Sequence, residues 1–107
     1  MEHLNKVQLR GTVTGLRIRQ VNNSEVANFM VYVTESFRTR SGEAVTRTQF
    51  FHATAWKSEQ NDIDKLANGQ TVEIWGRLQH RPKLDRDGRP VDGDYFVDIY
   101  TARLTIL

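Results

Sequence analysis

Thr48-Gln49-Phe50-Phe51-His52-Ala53-Thr54-Ala55-Trp56-Lys57 reads as a strand with two unlike faces. Side chains alternate along a strand. Phe50, His52, Thr54 and Trp56 therefore share one face, and Phe51, Ala53 and Ala55 the other. The second set is small and apolar and suits a packed interior. The first has aromatics at both ends with polar groups between, a pattern that can stack unpaired bases when basic residues lie nearby. The same ten residues also fit a strand buried on both faces.

Working outward, the preceding chain supplies two more strands. Lys6–Thr14 sets Val7, Leu9, Gly11 and Val13 against Lys6, Gln8, Arg10, Thr12 and Thr14. Gly11 in mid-strand signals a bulge or a close backbone approach. Gly15 bends the chain, and Leu16-Arg17-Ile18-Arg19 continues extended with both arginines on one side. Asn22-Asn23-Ser24 is a turn. Val26–Phe37 turns Ala27, Phe29, Val31 and Val33 inward and Asn28, Met30, Tyr32 and Thr34 outward. Arg38-Thr39-Arg40-Ser41-Gly42-Glu43 is a basic hairpin tip, leading through Val45-Thr46-Arg47 into the opening strand.

Downstream, Ser58–Gly69 is a helix candidate. Ser58 can cap it, acids come early, Gly69 suits its stop, and Ile63 and Leu66 face one way. Gln70–Arg81 places Val72, Ile74, Gly76 and Leu78 on the core side, with Trp75, Arg77 and Arg81 opposite. Pro82–Asp94 is a polar loop with turn signals at Asp87-Gly88 and Asp92-Gly93. A fifth strand runs from Tyr95 toward Leu107. Three strands, a helix and two strands make an all-β chain. The layout is that of an OB-fold, a five-stranded Greek-key barrel with one short helix between strands 3 and 4.

Composition narrows the function. The 107 residues make a single domain, 1–107, and carry no cysteine, which excludes disulfides and thiolate-held zinc. Met1–Lys6 lacks the apolar run of a signal peptide, and no stretch reaches membrane-span length, so a cytoplasmic protein is expected. The net charge is +2, but residues 1–57 hold eight Lys/Arg against four acids. That basic half suits a polyanion.

No cofactor or metal is expected. His3, His52 and His80 lack ligand spacing. The Asp85, Asp87, Asp92 and Asp94 run lies between strands and contains Pro90, unlike an EF-hand loop. Asp62 and Asp64 do not face each other on a helix, and no phosphate-binding loop is present, so catalysis is not expected.

These segments resemble the bacterial single-stranded DNA-binding protein family. The resemblance rests on Asn5-Lys6-Val7 with Leu9 and Gly11, on Ala27-Asn28-Phe29 with Thr34-Glu35-Ser36-Phe37, on Phe50–Trp56, and on Gly69–Leu78. It implies an OB-fold that wraps single-stranded DNA without sequence readout during replication, recombination or repair. It also implies a homo-oligomer, with a tetramer favoured over a dimer.

Carried over residue by residue, Phe37, Phe50 and Trp56 fall on the family's stacking aromatics, and Lys6 and Arg19 on its basic positions. The wider phosphate-contacting set is Arg17, Arg38, Arg40, Arg47, Lys57, Arg77, Arg81 and Lys83, with His52 and Trp75 on the same presumed faces. Trp75 reads equally as a base-stacking or a subunit-packing residue.

Two departures stand out. The family's further aromatic on the hairpin between its last two strands is replaced by Arg81-Pro82-Lys83-Leu84. The family's acidic tail is not matched after Arg103-Leu104-Thr105-Ile106-Leu107, so tail-mediated recruitment of repair enzymes is not expected. A primosomal replication protein N relative, and an OB-fold interaction module whose aromatic face is a subunit interface, are the alternatives. Oligosaccharide binding fits the fold but not the arginine excess.

Overall fold

The computed structural model describes residues 1–107. Five long strands, β1 (Val7–Val21), β2 (Ser24–Arg38), β3 (Ala44–Trp56), β4 (Thr71–Leu84) and β5 (Pro90–Ile106), close into a barrel in the order β1-β2-β3-β5-β4. The pairs β1–β2, β1–β4, β2–β3 and β4–β5 are antiparallel. The closing pair, β3–β5, is parallel and short, Ala53↔Ile99 and Thr54↔Tyr100. None of its helices is long and apolar enough to cross a membrane.

β1 serves two neighbours because it bends. Its first half pairs with β4 from Val7↔Gly76 to Thr12↔Thr71, and from Thr12 onward it pairs with β2, Thr12↔Tyr32 to Thr14↔Met30 and then Arg17↔Asn28 to Val21↔Ser24. The register breaks between Thr14 and Arg17, where Gly15 sits at φ +63°, a conformation that side chains disfavour. Gly11 answers the close-approach expectation: a Cβ there would run into the Tyr32 carbonyl. Asn22, at φ 56°, turns the β1–β2 hairpin.

Alternation builds the core. Val13, Ala27, Phe29, Val31, Ala53, Ala55, Val72, Ile74, Ile99 and Leu104 are buried together, with Phe51 packed against them. Ile63 and Leu66, from the β3–β4 connection, join the same core. Each fully buried Val, Ile or Leu contributes about 1.5–3 kcal/mol over leaving it exposed.

Two expectations are corrected. The helix expected over Ser58–Gly69 is only a 3-10 turn at Ile63–Lys65, and its N-cap Asp62 makes no side-chain capping bond. Ser58 instead bridges to Asn61 through backbone bonds of 3.1 and 3.2 Å. The Asn61 amide donates to the carbonyls of Trp56 and Thr101. These bonds compete with a helical ladder, and one turn is enough to seat Ile63 and Leu66. The second correction concerns Pro82–Asp94, expected as a loop. Most of it is strand, and only Asp85–Arg89 turns, closed by Asp85 N–H donating to the Arg89 carbonyl at 2.9 Å. The Asp92-Gly93 signal is a bulge, marked by a register shift between Pro82 and Leu84 and by Gly93 at φ 73°.

The β2–β3 and β4–β5 hairpins outrun the barrel, and the molecule measures 53 × 37 × 37 Å. Leu78, expected on the core side, is 47% exposed although its cross-strand partner Ile99 is buried in the core.

Candidate nucleic-acid interface

The two faces of β3 differ as its alternation requires. Ala53 and Ala55 are buried, and Phe51 packs on the core. Phe50 is 57% exposed and Trp56 36%, and His52 is exposed between them. The strand is not buried on both sides. Cross-strand pairing sets Tyr32 beside Phe50 with ring centroids 5.7 Å apart, while the Thr54 hydroxyl donates to Asn28 Oδ1 at 3.3 Å.

Phe37 does not join this row. Register from Val26↔Trp56 to Arg38↔Ala44 is unbroken, so strict alternation puts Phe37 on the side of the ribbon opposite Phe50. The Arg47 guanidinium lies 5.4 Å from the Phe37 ring centroid.

Beside the β3 row opens a cleft of about 480 Å³. The bend at Gly15 brings Arg17 and Arg19 to it. β2 contributes Asn28 and Met30, β3 His52 and Thr54, β4 Arg81, and β5 Asp98. Neither Arg17 nor Arg19 is among the chain's ion pairs. Asp98 is 4% exposed and accepts from Arg81 Nε at 2.9 Å, while its second oxygen is buried without a donor. A buried carboxylate carries a desolvation cost that a well-placed cation offsets. With three arginines against one acid, the cleft is electropositive.

The remaining basic candidates divide by what already holds them. Arg38 donates to the Gly42 carbonyl at 3.0 Å at the exposed β2–β3 tip, near Arg40. Lys57 Nζ lies 2.6 Å from Asp64 Oδ2. That hydrogen bond pushes the lysine's pKa up and the aspartate's down, so this charge is partly spent within the chain. Arg77 sits 4.6 Å from the Tyr100 ring centroid.

Lys6, Trp75, Arg77 and Tyr100 line a second groove of about 420 Å³, separate from the first cleft. Trp75 is covered by the Arg103 guanidinium at 4.0 Å. Next to it, Glu73 accepts from Arg10 at 2.6 and 2.9 Å and from Gln8 at 2.7 Å. The Arg10 bond, then that of Gln8, holds the Glu73 carboxyl below its ordinary range against its burial.

Sequence reasoning missed the aromatics of β5. Phe96 is 41% exposed, with Arg81 at 4.6 Å and Lys83 at 4.9 Å from its ring centroid. On the opposite face, His80 and Tyr95 stack at 3.6 Å. The available signal was the run Tyr95-Phe96-Val97, set beside a loop too long for a compact hairpin.

The model of the single-strand binding protein family matches residues 4–103. A single-stranded DNA-binding protein of Neisseria meningitidis serogroup A is 33% identical over 88 residues, covering 79% of this chain and 51% of that protein. One from Deinococcus radiodurans is 27% identical over 88 residues, covering 79% of this chain and 29% of that protein. The chain thus spans about half or less of the length of these curated relatives. Among solved structures, the Plasmodium falciparum SSB complex with ssDNA superposes with a TM-score of 0.80 at 26% identity. It covers 100% of this chain and 97% of that one.

Proposed function

The chain belongs to the single-strand binding protein family, and from that premise we propose that it binds single-stranded DNA without strong sequence preference and without catalysis. The observation that carries this reading is the exposed row Phe50, His52 and Trp56 running beside a cleft that holds Arg17, Arg19 and Arg81. Bases stack on Phe50 and Trp56 at about 1–3 kcal/mol each. Arginines take phosphates by releasing counterions, so affinity falls steeply with salt, with a slope of roughly −0.7 per phosphate neutralised. Arg38 and Arg40 extend the path at the β2–β3 tip, Phe37 and Arg47 offer a secondary contact on the ribbon's other side, and Lys57, already paired, contributes less.

In the cell, binding would cover exposed strands during replication, recombination or repair in the cytoplasm. The chain would act as an assembly of its own copies, a tetramer ahead of a dimer. Trp75, Lys6 and Arg77 lie on the groove away from the β3 row and fit subunit packing better than base stacking.

Titration of intrinsic tryptophan fluorescence with oligothymidine, at low and high salt and beside a duplex control, tests this function. Quenching by the single strand that weakens with salt is expected. The Phe50→Ala, Trp56→Ala double variant should lose about two orders of magnitude or more in affinity with an unchanged melting temperature. Undiminished affinity in that variant would mean the aromatic face serves another purpose, such as a protein interface.

A further inference from the structure

The connection from β3 to β4 holds only one short turn, yet its side chains reach into both halves of the candidate site. Near its start, Asn61 is 3% exposed, and its amide nitrogen donates to the Trp56 carbonyl of β3 at 3.3 Å and to the Thr101 carbonyl of β5 at 3.1 Å. Near its end, Asn68 Oδ1 accepts from the Leu16 N–H at 3.0 Å, inside the register break of β1. Trp56 is one of the exposed aromatics of β3, and Leu16 immediately precedes Arg17. We propose, on the single-stranded DNA reading above, that this connection is a brace with two positioning residues: Asn61 for the stacking ring of Trp56, and Asn68 for the phosphate-binding pair Arg17 and Arg19.

Asn61 stands where the β3–β5 ladder stops. Pairing reaches Thr54↔Tyr100 and goes no further. Two carbonyls cannot bond each other, but an amide nitrogen carries two hydrogens and serves both. Val26 pairs with Trp56 from the β2 side, and Asn61 holds it from the β5 side. The Asn61 Oδ1 meanwhile is buried with no donor. Native interiors rarely leave a polar atom bare. An apolar side chain of the same shape would avoid that cost, so what Asn61 supplies is its two donors. Its own backbone is fixed by bonds of 3.1 and 3.2 Å exchanged with Ser58 and by the Ile63 N–H, which donates to its carbonyl at 3.0 Å. At the other end, the break in β1 leaves Leu16 without a strand partner. Asn68 supplies the acceptor. Just before the bend, the Gly69 N–H donates to the Val13 carbonyl at 2.8 Å, and the Val13 N–H to the Gln70 carbonyl at 2.9 Å. Together these bonds set the direction in which Arg17 and Arg19 leave the bend. Groups fixed before binding lose less freedom when the ligand arrives.

Affinity for oligothymidine over a series of salt concentrations tests both ends, because the two roles move different quantities. Asn61→Leu should weaken binding by about 3- to 10-fold at every salt with the slope unchanged, and should change nothing further in a Trp56→Ala background. Asn68→Ala should make the slope shallower by up to about 0.7, one phosphate contact, and should leave it unchanged in an Arg17→Gln, Arg19→Gln background. A merely structural role would lower the melting temperature and leave affinity and slope at wild-type values well below the melt. If Asn61→Leu does not fold, Asn61→Ser carries that arm, since a hydroxyl has one donor for the two carbonyls. A loss that disappears in the Trp56→Ala background then supports positioning, and wild-type affinity refutes it. Wild-type protein that binds no oligothymidine would sink the single-stranded DNA reading itself. Wild-type protein that binds, with the Asn61 variant matching it or losing as much without the Trp56 ring as with it, would overturn the role of Asn61 alone. A wild-type slope in Asn68→Ala would overturn that of Asn68.

Discussion

The two hairpins that leave the barrel are built on opposite plans. The β2–β3 arm keeps one register throughout and is laced by hydroxyl pairs, Thr34 with Thr48 at 3.0 Å and Ser36 with Thr46 at 3.4 Å. Its ribbon is regular, its tip is basic, and Phe37 and Phe50 fall on opposite sides. The β4–β5 arm breaks register at Trp75/Gly76 and again between Pro82 and Leu84. Bulges bend a strand and re-aim its side chains, and here they accompany an aromatic on each face, Phe96 on one and the Tyr95–His80 stack on the other. A regular ribbon spaces contacts evenly; a broken one concentrates them.

The largest contrast should be in stability. A Cβ at Gly76 would overlap the Tyr100 carbonyl at the root of the β4–β5 arm. Gly76→Ala should cost about 3 kcal/mol and lower the melting temperature by more than about 10 °C, whereas Thr46→Val in the regular arm should stay within about 0.5 kcal/mol. Equal melts would show that the bulge is not a fixed element. Next comes the division of the regular arm into sides. Phe50→Ala should cost about 1–3 kcal/mol of oligothymidine binding and Phe37→Ala less than half of that, read from parallel titrations. Matching losses would mean that the strand wraps both sides.

The smallest effect concerns the barrel beneath the arms. The Glu73 carboxyl is held below its ordinary value of 4.5, first by Arg10. Its contribution is complete above the unfolded value and is lost as pH falls through the folded one. Melts from pH 7 down to 3 should therefore decline on the acid side in the wild type. Glu73→Gln should start lower at pH 7 and decline less steeply.

The barrel and its strand faces were legible because a period of two is written directly into residues such as Ala53, Ala55 and Val31. Phe50 and Trp56 were legible for the same reason. The Ser58–Gly69 segment misled because capping residues and early acids are local signals, and they appear whether or not an apolar stripe follows. Among its apolar side chains only Ile63 and Leu66 are buried, and a single turn meets that need. Pro82–Asp94 misled because Pro, Gly and Asp mark bulges as readily as loops. Phe96 stayed hidden because its partners, Arg81 and Lys83, are set by a cross-strand register that no local pattern contains.

The seam between β3 and β5 has a further consequence. Every other junction of the barrel is an antiparallel ladder, while this one pairs only Ala53↔Ile99 and Thr54↔Tyr100, with the Asn61 amide bridging the Trp56 and Thr101 carbonyls beside it. With the fewest ladder pairs, it is the junction expected to open first in the native state. His52 and Thr54 stand on one bank of it and Asp98 on the other, all in the same cleft. A ligand lying in that cleft is a clasp across the weakest joint, and its binding energy is returned to the protein as resistance to opening.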